Sequence, residues 1–97
     1  MNDDLLKTIE DKLPTFSKSQ KLIGNYILQH YEKAAYMTAL KLGNAVGVSE
    51  STVVRFAAEL GYDGYSRFQQ KLQEMIRNRL TSLQRMEVAR QGVESEL

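Results

Sequence analysis

The sequence predicts an all-α fold, a compact five-helix domain containing a helix-turn-helix, and three observations predict it. Apolar residues recur at spacings of three and four. No stretch alternates strictly between apolar and polar residues, as a half-buried strand would. Serine, threonine and glycine stand where helices would begin and end. The 97 residues suit one domain with a single core.

Leu5, Leu6, Ile9 and Leu13 make a first short helix, stopped by Pro14. Ser17-Lys18-Ser19-Gln20 fits a capping box, in which Ser17 accepts the amide of Gln20 and the Gln20 side chain reaches back. The second helix is expected to run to about Tyr31, with Ile23, Tyr26, Ile27 and His30 as candidate inward positions. Gly24 within it costs ~1 kcal/mol against alanine and suits a close helix contact. Thr38 caps a third helix, with Met37 and Leu42 as a hydrophobic staple across the cap. That helix is expected to bury Leu42, Ala45 and Val46 and to end at Gly47. Ser49 caps a fourth helix, stapled by Val48 and Val53 and ended by Gly61, since glycine adopts the left-handed conformation that closes a helix. A fifth begins near Tyr65 and carries Tyr65, Phe68, Leu72, Met75, Ile76, Leu80 and Leu83 on one stripe, which fades from Met86 onward.

Composition removes several classes of function. Without cysteine there is no disulfide, thiolate zinc site or cysteine nucleophile. His30 is the single histidine and has no second histidine or pair of acids at ligand spacing, so no metal, cofactor or catalytic residue is expected. Glycines 43, 47, 61 and 64 lack the preceding strand and the spacing of a phosphate-binding loop. No apolar run approaches the ~20 residues that cross a membrane, and Met1-Asn2-Asp3-Asp4 does not open a signal peptide, which points to a cytoplasmic chain. The net charge is +1, but it is unevenly spread. Residues 64–85 hold Arg67, Lys71, Arg77, Arg79 and Arg85 against Glu74 alone, while both ends of the chain are acidic. Arginines on a helix also serve simply as a solvated face.

Residues 39–60 carry most of the functional signal. Two short helices are separated by Gly47-Val48, a connection too tight for an antiparallel hairpin, so they must cross steeply as in a helix-turn-helix. Leu42, Val46, Val48, Val53 and Phe56 then point into the crease. The outer face of the second helix presents Glu50, Ser51, Thr52 and Arg55 near its N-terminus, where free amides and the helix dipole favour phosphate. Arg55 is placed to read a guanine edge, with Glu50 and Ser51 beside it in the major groove. Lys18, Ser49 and Thr52 are the expected phosphate contacts. Taken singly, the hydroxyl residues are more at home as caps and surface residues than as DNA contacts; turn, staple, small polar start and following arginine together are far more specific.

Val48-Ser49-Glu50-Ser51-Thr52-Val53-Val54-Arg55-Phe56 resembles the V-S-x-x-T-V-x-R pattern of bacterial helix-turn-helix repressors. Gly43 departs from it, because such motifs usually place alanine four residues before the turn glycine. Residues 17–72 more specifically resemble the N-terminal domain of the RpiR family of transcriptional regulators. The likeness rests on Ser17-Lys18-Ser19-Gln20-Lys21, on the segment 48–56, and on Leu60-Gly61-Tyr62-Asp63-Gly64-Tyr65 leading to Phe68. It implies a sequence-specific regulator that binds a double-stranded DNA operator. It also implies a C-terminal sugar isomerase (SIS) domain, absent here, that takes a phosphorylated sugar as effector, and control of sugar or amino-sugar phosphate metabolism. On this reading residues 1–85 are the DNA-binding domain and 86–97 a linker toward the absent domain.

Two recognition helices one duplex turn apart need a dimer. Leu72, Ile76, Leu80 and Leu83 are the candidate interface, on the expectation that they stay partly exposed if the first four helices pack only on the start of the fifth. The stripe could instead fold back onto helices one and two and leave a monomer. A competing class is a helical adaptor that binds a partner helix through residues 65–83 without touching DNA; retention on a DNA resin would separate the two. Tyr65 is assigned to the core, whereas Tyr62 could fill the core or lie against a phosphate backbone.

Overall fold

The computed structural model describes residues 5–79, which are helical with short links and contain no strand among the described residues. Helix α1 spans Leu5–Lys12, α2 Lys18–Ala34, α3 Ala39–Val46 and α4 Glu50–Glu59. A fifth helix, α5, covers 65–79. None of the described helices is long and apolar enough to cross a membrane.

Pro14 does not simply halt α1. It lies in the first turn of a 3₁₀ segment, Leu13–Thr15, where its missing amide proton leaves no hydrogen bond unmade. The capping box forms at both of its bonds: the Gln20 amide donates to Ser17 Oγ at 3.3 Å, and the Ser17 amide to Gln20 Oε1 at 2.9 Å. One turn on, Gly24 lets α1 come close, since a β-carbon there would lie 3.2 Å from Leu13 Cδ2 and 3.3 Å from Ile9 Cγ2.

Helix α2 outruns the expected end at Tyr31. It kinks at His30 (φ −137°, ψ 44°) and continues to Ala34, so that Ala34 and Ala35 join the core. His30 itself is exposed, its ring tilted against Tyr26 at 5.0 Å, and is not an inward residue. Neither proline nor glycine stands at the kink, so periodicity alone carried no sign of it.

The core centres on Phe56. Its ring meets Phe16 edge-on at 5.3 Å and Phe68 at 6.0 Å, the arrangement that aromatic quadrupoles favour, and so joins the α1–α2 link, α4 and α5. Ile9, Ile23, Ile27, Leu42, Val53 and Leu72 are wholly buried around it. The expectation that Leu72 and Ile76 remain partly exposed is corrected here: both lie inside the chain's own core, because α5 packs against it along this stretch. Leu80 and Leu83 lie outside the described residues.

Besides its apolar side, α5 has a polar row at Tyr65, Gln69 and Gln73, each one turn from the next. The Tyr65 hydroxyl donates to Met37 O at 2.7 Å, and Gln69 Nε2 donates to Ala35 O and Met37 O at 3.0 Å each. Gln73 Nε2 donates to Ala35 O at 2.8 Å. These carbonyls belong to the α2–α3 link, which has no glycine cap of its own, so α5 satisfies them from across the fold. Burial pushes the Tyr65 hydroxyl pKa up to about 12 and keeps it a donor. Higher up α5, the Arg79 guanidinium lies 5.5 Å from the centre of the Tyr31 ring, adding a cation–π contact to the far end of α2.

Candidate nucleic-acid interface

The link between α3 and α4 is built on two glycines. Gly47 has φ 83° and ψ 30°, the left-handed conformation that ends a helix, and both its amide and that of Val48 donate to Gly43 O, at 2.8 and 2.9 Å. The chain therefore leaves α3 and enters α4 within a few residues. Gly43 is buried at this crossing, where a β-carbon would stand 2.6 Å from Val48 O and 3.3 Å from Ser49 O. Glycine at this position is thus set by the backbone of the link folding over it. Ala45, expected inward, faces solvent instead, and Gly43 shares the buried side of α3 with Ala39 and Leu42. Val48 packs half-buried against the core and Val53 is fully buried, as a staple across the cap requires.

Ser49 caps α4 with extended backbone (φ −75°, ψ 158°), and its Oγ accepts the Thr52 amide at 3.2 Å. The same oxygen lies 3.1 Å from Ser51 Oγ and 2.8 Å from Thr52 Oγ1. A hydroxyl donates once and accepts twice, so Ser49 Oγ is fully engaged within the cap. Ser49 and Ser51 are exposed and Thr52 is half-buried, so the three hydroxyls cluster at the positive end of the helix. Glu50 and Arg55 are exposed on the same helix, as is Val54, whereas Val53, Phe56 and Ala57 face the core. The structure therefore gathers Ser49, Glu50, Ser51, Thr52 and Arg55 on one helix, behind the turn formed by Gly47 and Val48. Lys18 is the exposed first residue of a separate helix, α2.

Two supports of this surface escaped the sequence reading. Lys12 Nζ, at the end of α1, donates to Glu59 O at 3.5 Å and sets a positive charge at the C-terminal end of α4, where the dipole favours one. The Tyr65-Gln69-Gln73 row holds the link that leads into Thr38, whose Oγ1 caps α3 by accepting the Lys41 amide at 3.1 Å. Its four-residue spacing on one side of a helix is visible in the sequence, but spacing alone does not say which carbonyls such a row meets. Tyr62 packs half-buried, with its ring edge-on to Phe68 at 5.9 Å. Among the described residues, no group of three or more His, Cys, Asp or Glu is placed to hold a metal ion.

Comparison with known proteins matches residues 3–79 to the family described as "Helix-turn-helix domain, rpiR family". The chain is 32% identical over 71 residues to the HTH-type transcriptional regulator YfhH of Escherichia coli, covering 73% of this chain and 25% of that protein. It is 30% identical over 73 residues to the HTH-type transcriptional regulator HexR of Pseudomonas aeruginosa, covering 75% of this chain and 26% of that one. Among solved structures, the Vibrio vulnificus NanR protein complexed with ManNAc-6P superposes with a TM-score of 0.74 at 31% identity, over 77% of this chain and 28% of NanR. The chain thus spans about a quarter of the length of these relatives. By a match that runs through every described helix, the chain belongs to the rpiR family of helix-turn-helix domains.

Proposed function

We propose that this chain is the DNA-reading module of a transcriptional regulator and docks α4 in the major groove of an operator. The observation that carries the reading is the exposed N-terminal half of α4, held by a left-handed turn and a hydroxyl cap and offering Glu50, Ser51 and Arg55 to a partner. Arg55 makes a bidentate contact to guanine, and Glu50 and Ser51 meet neighbouring base edges. Lys18, Thr52 and the Ser49 cap face phosphates, the last through the amides it leaves at the helix start.

In the whole protein a sugar-phosphate effector would act through a C-terminal sugar isomerase-like domain, with residues 1–85 as the reading domain and 86–97 as the connection. NanR's complex with ManNAc-6P, a phosphorylated amino sugar, supports control of genes for such metabolites. The regulator would act in the cytoplasm beside the chromosome, as a dimer, and with no catalytic step. Since Leu72 and Ile76 serve the chain's own core, a dimer contact within this chain falls to Leu80, Leu83 and their neighbours.

The test compares Arg55→Ala with the wild type on duplexes selected from a randomised library and on scrambled DNA. A loss of about 1–3 kcal/mol confined to the selected duplex is expected. An equal loss on both makes Arg55 a phosphate contact, and failure of the wild type to select any sequence refutes the reading.

A further inference from the structure

We infer that Val54, with Ala58 beside it, reads the 5-methyl group of a thymine in the operator. The inference rests on the assignment of α4 as the recognition helix. At about 100° per residue, the outward arc of α4 runs in angular order through Glu50, Val54, Ala58, Ser51, Arg55 and Glu59, all exposed. Val53, Phe56 and Ala57 occupy the opposite, fully buried arc. Val54 is 40% exposed, a large apolar side chain on the very face that carries Glu50, Ser51 and Arg55.

A single exposed valine on a protein surface needs no explanation. Its position does. Val54 and Ala58 form an apolar strip with Glu50 on one side and Ser51 and Arg55 on the other, so a groove that receives the polar side chains also receives the strip. The floor of that groove is lined by hydrogen-bonding atoms except at two apolar positions, the C5–H of cytosine and the C5-methyl of thymine, of which the methyl projects further and offers the larger apolar surface. Opposite an N7, an O6 or an amino group, Val54 would displace water and return no hydrogen bond, leaving that atom without a partner. Opposite a methyl, both surfaces leave water together. Valine suits the task because its branched β-carbon holds one χ1 rotamer in a helix, so little freedom is lost on contact. The order around the helix puts Val54 between Glu50 and Arg55, and nearer Glu50.

Replacing each thymine of a selected duplex in turn by deoxyuracil removes the methyl group and nothing else. The expected result is one position at which replacement weakens binding about fourfold, the weight of one buried methyl group. Val54→Ala should bind the thymine duplex more weakly than wild type does and be indifferent to replacement at that position. Arg55→Ala should keep the full methyl effect, and Val54→Ala should melt as the wild type does, since the residue is exposed. A methyl effect that persists undiminished in Val54→Ala, the absence of a methyl effect at every thymine, or a selected sequence without thymine overturns the inference and leaves DNA reading intact. Selection of no preferred sequence overturns both.

Discussion

Gly43→Ala is the substitution on which local propensity and tertiary geometry disagree most sharply. In an isolated helix alanine would stabilise this position by about 1 kcal/mol over glycine. Here the added methyl would stand 2.6 Å from the Val48 carbonyl oxygen and 3.3 Å from that of Ser49. Neither is the end of a flexible side chain. Val48 is fixed by its own amide on Gly43 O at 2.9 Å and by its side chain in the core, and Ser49 by the cap of α4. Relief requires α3 and α4 to part by several tenths of an ångström at their closest point, an overpacking that typically costs 1–3 kcal/mol. Taking off the propensity gain leaves about 0–2 kcal/mol, and a 2.6 Å approach to a fixed backbone oxygen puts the loss in the upper half of that range, about 1–2 kcal/mol, a fall of roughly 4–16 °C in melting temperature for a domain of this size. Thermal unfolding followed by circular dichroism measures it directly. An unchanged or raised melting temperature would refute the reasoning, because it would mean that the α3–α4 crossing yields without cost.

Gly47→Val should also lower the melting temperature, for a different reason: nothing lies within 4 Å of its β-carbon, so the whole cost of about 1–2 kcal/mol is the left-handed backbone at φ 83°. An unchanged melting curve would count against that account. The Tyr65 pKa is raised to about 12 by burial from an ordinary value of 10.0, so between these limits the folded chain keeps a proton that the unfolded chain has lost. Its contribution to stability is complete below pH 10 and disappears as pH rises toward 12; Tyr65→Phe should flatten this part of the denaturation profile, and an equally steep decline in the variant would rule Tyr65 out as its source. Sedimentation of the wild type and Leu80→Glu at micromolar concentrations tests the dimer: a wild type that stays monomeric throughout rejects it, and a dimer that survives the substitution moves the contact elsewhere.

The parts of this fold that depend on neighbours in sequence were legible. Ser17 and Gln20 make both capping-box bonds, Thr38 and Ser49 cap the helices they precede, and Gly47 takes the left-handed turn, because each contact spans only a few residues. Features that depend on distant chain were not legible. Whether Leu72 and Ile76 are exposed is decided by how much core α5 covers, which an apolar stripe alone does not state. Ala45 and Gly43 are both small, and their periodicity could not say which one the link would fold over. Of the candidate site, the outward set on α4 was readable from helical spacing, but the saturation of Ser49 Oγ was not, since it arises from the rotamers of three hydroxyls meeting at one point.

The row of donors on α5 bears on how the domain comes into being. A chain made from its N-terminus contains the residues of α3 and α4 before residues 65–73 exist, and until then the donors that α5 brings to the Ala35 and Met37 carbonyls are missing. Tyr65, Gln69 and Gln73 reach back across 28 to 38 residues to close them. Short helices of 8 and 10 residues are marginal alone, so α3 and α4 depend on the core packed beneath them to hold their shape. The support beneath the α4 surface is complete only when the last described helix arrives, so the end of the domain made last fastens the link that leads into its reading head.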